Sequence, residues 1–296
     1  MARTNAISLL AGASTPATLA EIYGLVIENV QKSTLSTSLK SQQYTGNPAA
    51  GSVEFKRFAN SEAKTYGTAR TAAKGDKITV PPTTVNLSTH KEIVEEVAKF
   101  DLDTFGVAGI MQRRADNHVL TMAADLDRAF FAEANTSGTA FTPGSGVTEI
   151  QDIVESMIQT LEVVKNDYTD GVDRGMMDLV LSPAQYGKLR TFLDTQSNPN
   201  VNTAGEEFGM YHGVRVYSCT RLPVTTETVE TSKTKTTTNG ILMIRGAVAQ
   251  PVVVDQYSNP EKIPLSNDYA VSLFYDYGVK ALTPDLIFKW QTSVTV

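Results

Sequence analysis

The 296-residue sequence is poor in the residues from which most catalytic and metal sites are built. Its one cysteine, Cys219, rules out an intrachain disulfide framework and a Cys-based zinc cluster. In the strand-like run GVRVYSCTRLP that residue reads as a small buried apolar side chain. The three histidines, His90, His118 and His212, each stand alone, with no H-x-x-x-H or H-E-x-x-H pair at zinc spacing. Long apolar runs are also missing. No segment reaches the roughly 20 residues that span a bilayer, and ISLLAGA near the N-terminus is short for a signal h-region and follows no strongly charged n-region. The expectation is a protein made inside the cell and held in no membrane. A basic excess is absent too: the net charge of -6 argues against a dedicated nucleic-acid binder, which needs concentrated Lys and Arg to neutralise phosphates.

Hydrophobic residues at 41% and charged residues at 20% form an ordinary globular composition, with room for one large or two modest cores. The charge is unevenly spread. Residues 1–90 hold 9 basic against 5 acidic side chains, whereas the remainder holds 17 against 27. Opposite halves of this kind attract each other between copies of one chain, or form solvated surface.

Residues 52–80, SVEFKRFANSEAKTYGTARTAAKGDKITV, have the turn residues and flanking alternation of a long β-hairpin but few apolar side chains. Six cations (Lys56, Arg57, Lys64, Arg70, Lys74 and Lys77) stand among three anions, so the stretch is expected to be ordered by lying on something else. Before it, TPATLAEIYGLVIENVQKS carries a helical stripe, and STLSTSLKSQQYTGNPAAG reads as an extended arm. A start at Met1, if it is the encoded start, implies that no N-terminal scaffold segment has been removed.

After it, TTVNLSTHKEIVEEVAKFDLD alternates in places and favours strands over helix. Residues 104–134 then run without proline, with Met111, Ala115, Val119, Met122, Leu126 and Phe130 along one stripe, which predicts a single helix of about 45 Å. A second helix follows a glycine-rich loop, with Thr148 and Gln151 set as a capping box and Ile150, Val154, Met157 or Ile158, and Leu161 as its apolar stripe. The run DLVLSPAQYGKLR is a strand leading into a helix with Ser182 as N-cap and Pro183 at its first position, the entrance to a mixed α/β layer. Residues 225–238 include eight threonines and read as a solvated loop or an exposed two-stranded edge; lacking an apolar face, they favour the loop. The rest alternates short strands and turns.

Chemistry is hard to find in these patterns. Asp167, Asp170 and Asp173 in NDYTDGVD do not have the spacing of a calcium loop. Gly144 and Gly146 precede a helix but lack the Lys-Ser/Thr of a phosphate loop, and no G-x-S-x-G is present. Glu92, Glu95 and Glu96 read as a solvated acidic face. The expectation is a protein that is not an enzyme, with no catalytic residues, no metal and no cofactor.

In order, the elements are an arm, a basic hairpin, strands, one very long helix, a second helix, a strand into SPAQYGKL, and an alternating C-terminal sheet. That order, with DLVLSPAQYGKLR (178–190), GVRVYSCTRLP (213–223), GILMIRGAVAQPVVV (240–254) and YDYGVKALTPDLIFKW (275–290), resembles the major capsid proteins of tailed bacteriophages. Encapsulin shells look similar in architecture. The resemblance implies an α+β chain with the HK97-like capsid fold. Residues 1–50 would be an N-terminal arm, 51–86 an extended loop and 87–144 a peripheral domain with its spine helix at 104–134. Residues 145–270 would form an axial domain, and 271–296 strands returning to the peripheral domain. It implies a virion protein assembled in the host cytoplasm, partnered by copies of itself in pentamers and hexamers, touching packaged DNA weakly and without specificity, and meeting portal, scaffold or decoration proteins. The loop cations would then face a neighbouring subunit. Some family members crosslink through a loop lysine, for which Lys64, Lys74 and Lys77 are available, but no partner asparagine or catalytic glutamate is identifiable. An encapsulin-like shell, or a phage tail or baseplate protein or adhesin using residues 225–238 as its contact surface, is the competing reading.

Overall fold

The computed structural model describes residues 34–45, 47–68, 71, 75, 78, 80–99, 108–195, 209–229 and 232–295. The elements run α1 (Ser36–Leu39), β1 (Ser52–Lys56), β2 (Pro82–Asn86), β3 (Thr89–Val97), α2 (Ala108–Ser137), β4 (Thr139–Phe141), α3 (Ile150–Glu162), β5 (Lys165–Asn166), β6 (Thr169–Asp170), β7 (Met177–Leu181), α4 (Pro183–Thr195), β8 (Met210–Tyr211), β9 (Val214–Ser218), β10 (Val224–Val229), β11 (Ser232–Ile244), β12 (Val248–Ala249), β13 (Val252–Lys262), β14 (Tyr269–Tyr277), β15 (Lys280–Ala281) and β16 (Ile287–Thr295). Single 3-10 turns occur at Pro48–Ala50, Arg174–Met176 and Pro284–Leu286. This is the mixed α and β content expected. The helix read in residues 15–33 lies outside the described residues.

Packing divides the chain into two units, one of Met1–Thr34, Leu87–Leu126 and Pro251–Gly278, the other of Leu35–Asn86, Asp127–Gln250 and Val279–Val296. In the first, β3, β14 and β13 form a three-stranded antiparallel sheet with β14 in the middle. Leu273, Tyr275 and Tyr277 alternate as its buried face, the period of two expected of a strand with one face covered. Of residues 83–103, 83–86 and 89–97 are strands, as their Thr and Val content suggested. On α2, Asp125 accepts hydrogen bonds from the Tyr275 hydroxyl at 3.1 Å and the Tyr277 hydroxyl at 3.3 Å. Burial together with the Asp125 charge pushes both phenols up, Tyr277 to about 12.

In the second unit a seven-stranded sheet has the order β4-β16-β11-β7-β9-β8, with β10 also on β11. Met177–Leu181 is buried at every position, because β7 lies inside the sheet and both faces are covered. One face packs Leu179, Leu181, Leu242, Phe288 and Trp290 against Ile153, Val154, Met157, Ile158 and Leu161 of α3 and Leu189 of α4. The other packs Val180, Ile241, Met243 and Ile287 against Phe130, Phe131 and Ala134 of α2 and Leu39 of α1. At the β11 register shift sits Gly240, where a Cβ would lie 2.8 Å from Leu181 Cδ2. Only glycine lets the two strands close at that point.

The Ser-Pro junction into α4 and the apolar stripe of α3 match the sequence reading. Three details differ. The α3 cap is Glu149, in extended conformation and with no side-chain cap bond, so the expected Thr148–Gln151 capping box does not form. Val119, expected on the buried stripe of α2, is 41% exposed, while Leu126 and Phe130 are buried. The side chains of Met111 and Ala115 lie outside the described residues; the helix contributes to one unit up to residue 126 and to the other from 127. Residues 224–229 and 232–237 pair as antiparallel strands, the exposed two-stranded edge and not the loop, with Val224 opposite Thr237 and Val229 opposite Ser232. Its strand β11 continues directly from the buried Ile241–Met243, and β16 pairs with its second edge from Thr295 to Gln291, so a polar segment inherits strand geometry from a buried one. Strand β14 pairs with β3 and β13 with β14, and β16 lies in the larger sheet.

Candidate functional site

The hairpin read in residues 52–80 is a short ribbon at the base of a loop. Strands β1 and β2 pair antiparallel from Ser52–Asn86 to Lys56–Pro82, within the expected span 51–86. The ribbon is less bare of core than its composition suggested. Val53, Phe55 and Val85 are buried together with Ala249, and Tyr44 meets Phe55 edge-on at 5.8 Å. The free edge of β1 is capped by the arm, where Thr45 and Glu54 exchange backbone hydrogen bonds of 2.8 and 3.0 Å.

The arm is held at its root by a carboxylate. Asp127, fully buried on α2, accepts from the Ser36 amide at 2.9 Å, the Leu35 amide at 3.2 Å and Arg221 Nη1 at 2.6 Å. A buried carboxylate with three charged or amide donors is fully satisfied, whereas the same group stripped of them would be costly. The Gly246 amide donates to the Leu39 carbonyl and the Ser41 amide to Val248, fixing the next residues. The first described part of the expected extended arm is therefore a docked helical turn, α1, and its continuation.

The loop leaves the ribbon through a second electrostatic anchor. Arg57 donates to both oxygens of Asp285, Nη1 to Oδ1 at 2.8 Å and Nη2 to Oδ2 at 3.0 Å. The guanidinium lies 4.5 Å from the centre of the Tyr168 ring, and Asn166 donates to Asp285 Oδ2 at 2.6 Å. Burial raises the Asp285 carboxyl, but the Arg57 and Asn166 hydrogen bonds outweigh it and hold the group below the usual carboxylate range. Just beyond, the Asn60 amide donates to the Asp167 carbonyl at 2.8 Å. Arg57, expected to face a neighbour, is thus committed within its own chain by a bidentate geometry that a flexible surface pair does not adopt. Of the other expected contact cations, Lys56 and Lys64 are exposed, and Arg70, Lys74 and Lys77 lie outside the described residues. Beyond the anchor the loop carries its larger apolar side chains outward: Phe58 is 63% exposed, Tyr66 94% and Ile78 84%.

The histidines are less isolated than their spacing suggested. His90 Nδ1 is 2.7 Å from Asp276, His118 Nε2 3.2 Å from Glu95, and His212 Nδ1 2.7 Å from Glu155. Arg174 bridges Glu155 and Glu162 with two 2.7 Å contacts, and its hydrogen bond, aided by that of His212, holds the Glu155 carboxyl down at about 2. Among the described residues no three His, Cys, Asp or Glu side chains converge as a metal site would require. In the acidic turn, Asp170 pairs with Lys165 at 2.8 Å. Cys219 is buried, as read. No helix among the described residues is long and apolar enough to cross a membrane.

The family model described as phage capsid protein matches residues 83–290. No curated protein matches. Among solved structures, a chain from Mycobacterium phage Che8 is 17% identical with a TM-score of 0.63, the match covering 90% of this chain and 94% of that one. The capsid of the cyanophage P-SCSP1u is 13% identical with a TM-score of 0.64 over 90% of each chain. A virus-like particle from Pyrococcus furiosus is 13% identical with a TM-score of 0.51 over 87% of this chain and 92% of that one. At these identities the structures share the fold.

Proposed function

Since the chain belongs to the phage capsid protein family, we propose that it is the major subunit of an icosahedral head, whose copies join as pentamers and hexamers around double-stranded DNA. The observation that carries this reading beyond the family is the loop rooted at β1 and β2. It is anchored at its base by a packed ribbon and the Arg57–Asp285 pair, yet it carries Phe58, Tyr66 and Ile78 into solvent. An exposed aliphatic or aromatic side chain alone needs no explanation. Three of them on one anchored projection are what a surface covered by another copy supplies.

On this reading α2 is the spine helix, the sheet covered by α3 and α4 is the core of the axial domain, and the β3-β14-β13 sheet belongs to the periphery. Lys56 and Lys64, with Arg70, Lys74 and Lys77, meet the acidic surface of an adjacent subunit, while Arg57 sets the angle at which the loop departs. The acidic body encloses DNA with weak, non-specific contact. Portal, scaffold or decoration proteins bind the assembled head, which forms in the host cytoplasm. The family is a structural one, and the subunit acts by binding and not by catalysis.

The test is assembly. Purified full-length protein, supplied with a scaffold if one is required, is expected to give rings or closed shells in negative stain. Lys56→Glu with Lys64→Glu is expected to weaken assembly, as is rising salt, since the charges that attract between copies are screened over about 8–10 Å. A protein that stays monomeric at high concentration in every condition overturns the proposal.

A further inference from the structure

We infer that the second unit contains an oxyanion-binding pocket built on Arg215 and Arg245. At its base, Asp178 of β7 is completely buried. Arg215, its register partner on β9, donates Nε to Oδ1 at 2.8 Å. Arg245, in the turn after β11, donates Nε to Oδ2 and Nη2 to Oδ1, both at 3.2 Å. One guanidinium neutralises a buried carboxylate; two leave a net positive charge.

Among the described residues no carboxylate other than Asp178 accepts a hydrogen bond from either arginine. Asp170 is paired with Lys165 and Asp285 with Arg57, and Glu155 and Glu162 share Arg174. Asp173 is exposed and hydrogen-bonds neither arginine. The remaining donors are also incompletely used. Arg215 Nη2 reaches the Gly175 carbonyl at 3.4 Å and Arg245 Nη2 the Tyr217 hydroxyl at 3.3 Å, while Nη1 of each has no acceptor among the described residues.

Both arginines line a cavity of about 400 Å³ whose other walls include Val172, Met176, Ile244 and Leu286. Asp178 fixes both side chains in advance, so an incoming anion meets oriented planar donors and little side-chain entropy is lost on binding. The chemistry selects a carboxylate or phosphate group, and the apolar walls accommodate a short aliphatic stem. The oxyanion comes either from an acidic side chain of a second copy or from free phosphate. The pocket itself rests on the geometry of one subunit and not on the shell reading.

Equilibrium dialysis of the full-length protein against radiolabelled inorganic phosphate, at ionic strength held constant with chloride, tests the pocket. Saturable binding in the millimolar range is expected. Arg245→Gln, which leaves Arg215 to neutralise Asp178, is expected to weaken it on the order of tenfold. Asp178→Asn keeps both arginines and removes the internal anion, so it is expected to tighten binding by a similar factor. A cluster that serves only to hold the strands together predicts no such opposition of sign. Absence of saturable binding, or binding unchanged in Arg245→Gln, overturns the inference even if Asp178→Asn does not fold. Equal loss in both variants, with circular dichroism showing both folded, overturns it as well. Assembly followed by light scattering then identifies the source: phosphate that binds and slows assembly displaces a neighbour's acidic side chain, and phosphate that binds without slowing it is the ligand.

Discussion

Replacing Asp285 by asparagine removes the charge that fixes the loop root while leaving volume and shape almost unchanged. The Arg57–Asp285 pair is bidentate, with side chains 25% and 30% exposed, so it lies between a solvent-screened pair and a buried one. Exposed pairs contribute up to about 1 kcal/mol and desolvated charged hydrogen bonds about 1.5–3, which places this one near 1–2 kcal/mol. The stacking of Arg57 over Tyr168, roughly 0.5–1 kcal/mol for a partly exposed cation, survives the substitution. The segment just past the anchor docks through the Asn60 amide on the Asp167 carbonyl, so hydrogen exchange at Asn60 reports opening of the root. A loss of about 1–2 kcal/mol corresponds to protection reduced roughly 5- to 30-fold at that amide. Amides of β7, in the sheet interior, are expected to change far less. A double-mutant cycle with Arg57→Gln is expected to return a coupling of the same size. If Asn60 protection is unchanged in Asp285→Asn, the pair does not anchor the loop and the reasoning fails. Because the Asp285 carboxyl is held below its ordinary value, the anchor's contribution is complete above the unfolded-state value and is lost as pH falls through the lower folded-state one.

Asp127→Ala leaves the Ser36 and Leu35 amides and Arg221 without their shared acceptor, and is expected to cost about 3–5 kcal/mol in urea denaturation; a change below about 1 kcal/mol would show that the arm root is held mainly by Leu39. Glu155, held down at about 2 by Arg174 and then His212, gives stability that is full above its unfolded value near 4.5 and lost as pH falls toward 2. After screening, that is on the order of 1–2 kcal/mol, read as the difference in acid-unfolding midpoint between the protein and Glu155→Gln. The Tyr277 phenol, pushed up to about 12, is expected to stay protonated at pH 11 in ultraviolet titration of the native protein; ionisation near 10 would mean that Asp125 and burial do not act on it.

Local pattern was legible wherever one element buries one face. The α3 stripe of Ile150, Val154, Ile158 and Leu161 and the Ser182-Pro183 junction carry their structure in a few adjacent residues. The hairpin character of the β1–β2 ribbon was legible in its alternation, but its small core was not, because Val53, Phe55 and Val85 are buried together with the distant Ala249. Pairings fixed by distant partners were not. Residues 225–238 lack an apolar face, and their strand state comes from continuity with the buried Ile241–Met243 and from pairing with β16, more than fifty residues onward. The carboxylates beside His90 and His212 are 186 and 57 residues away in sequence, beyond any spacing rule. Arg57 looked like a surface cation because Asp285 is 228 residues distant. The two arginines on Asp178 come from strand β9 and from the turn after β11, and the only trace of them in the sequence is an acidic residue, Asp178, in an otherwise apolar strand.

The shell reading turns on whether the loop that carries Phe58, Lys64 and Tyr66 completes its packing on a second copy of the chain. A cryo-electron microscopy reconstruction of assembled particles tests it directly. The loop is expected to lie across an adjacent subunit, with Phe58 and Tyr66 covered by it and Lys56 and Lys64 close to its carboxylates. A loop folded back on its own subunit, or projecting into solvent with those aromatic side chains uncovered, would contradict it.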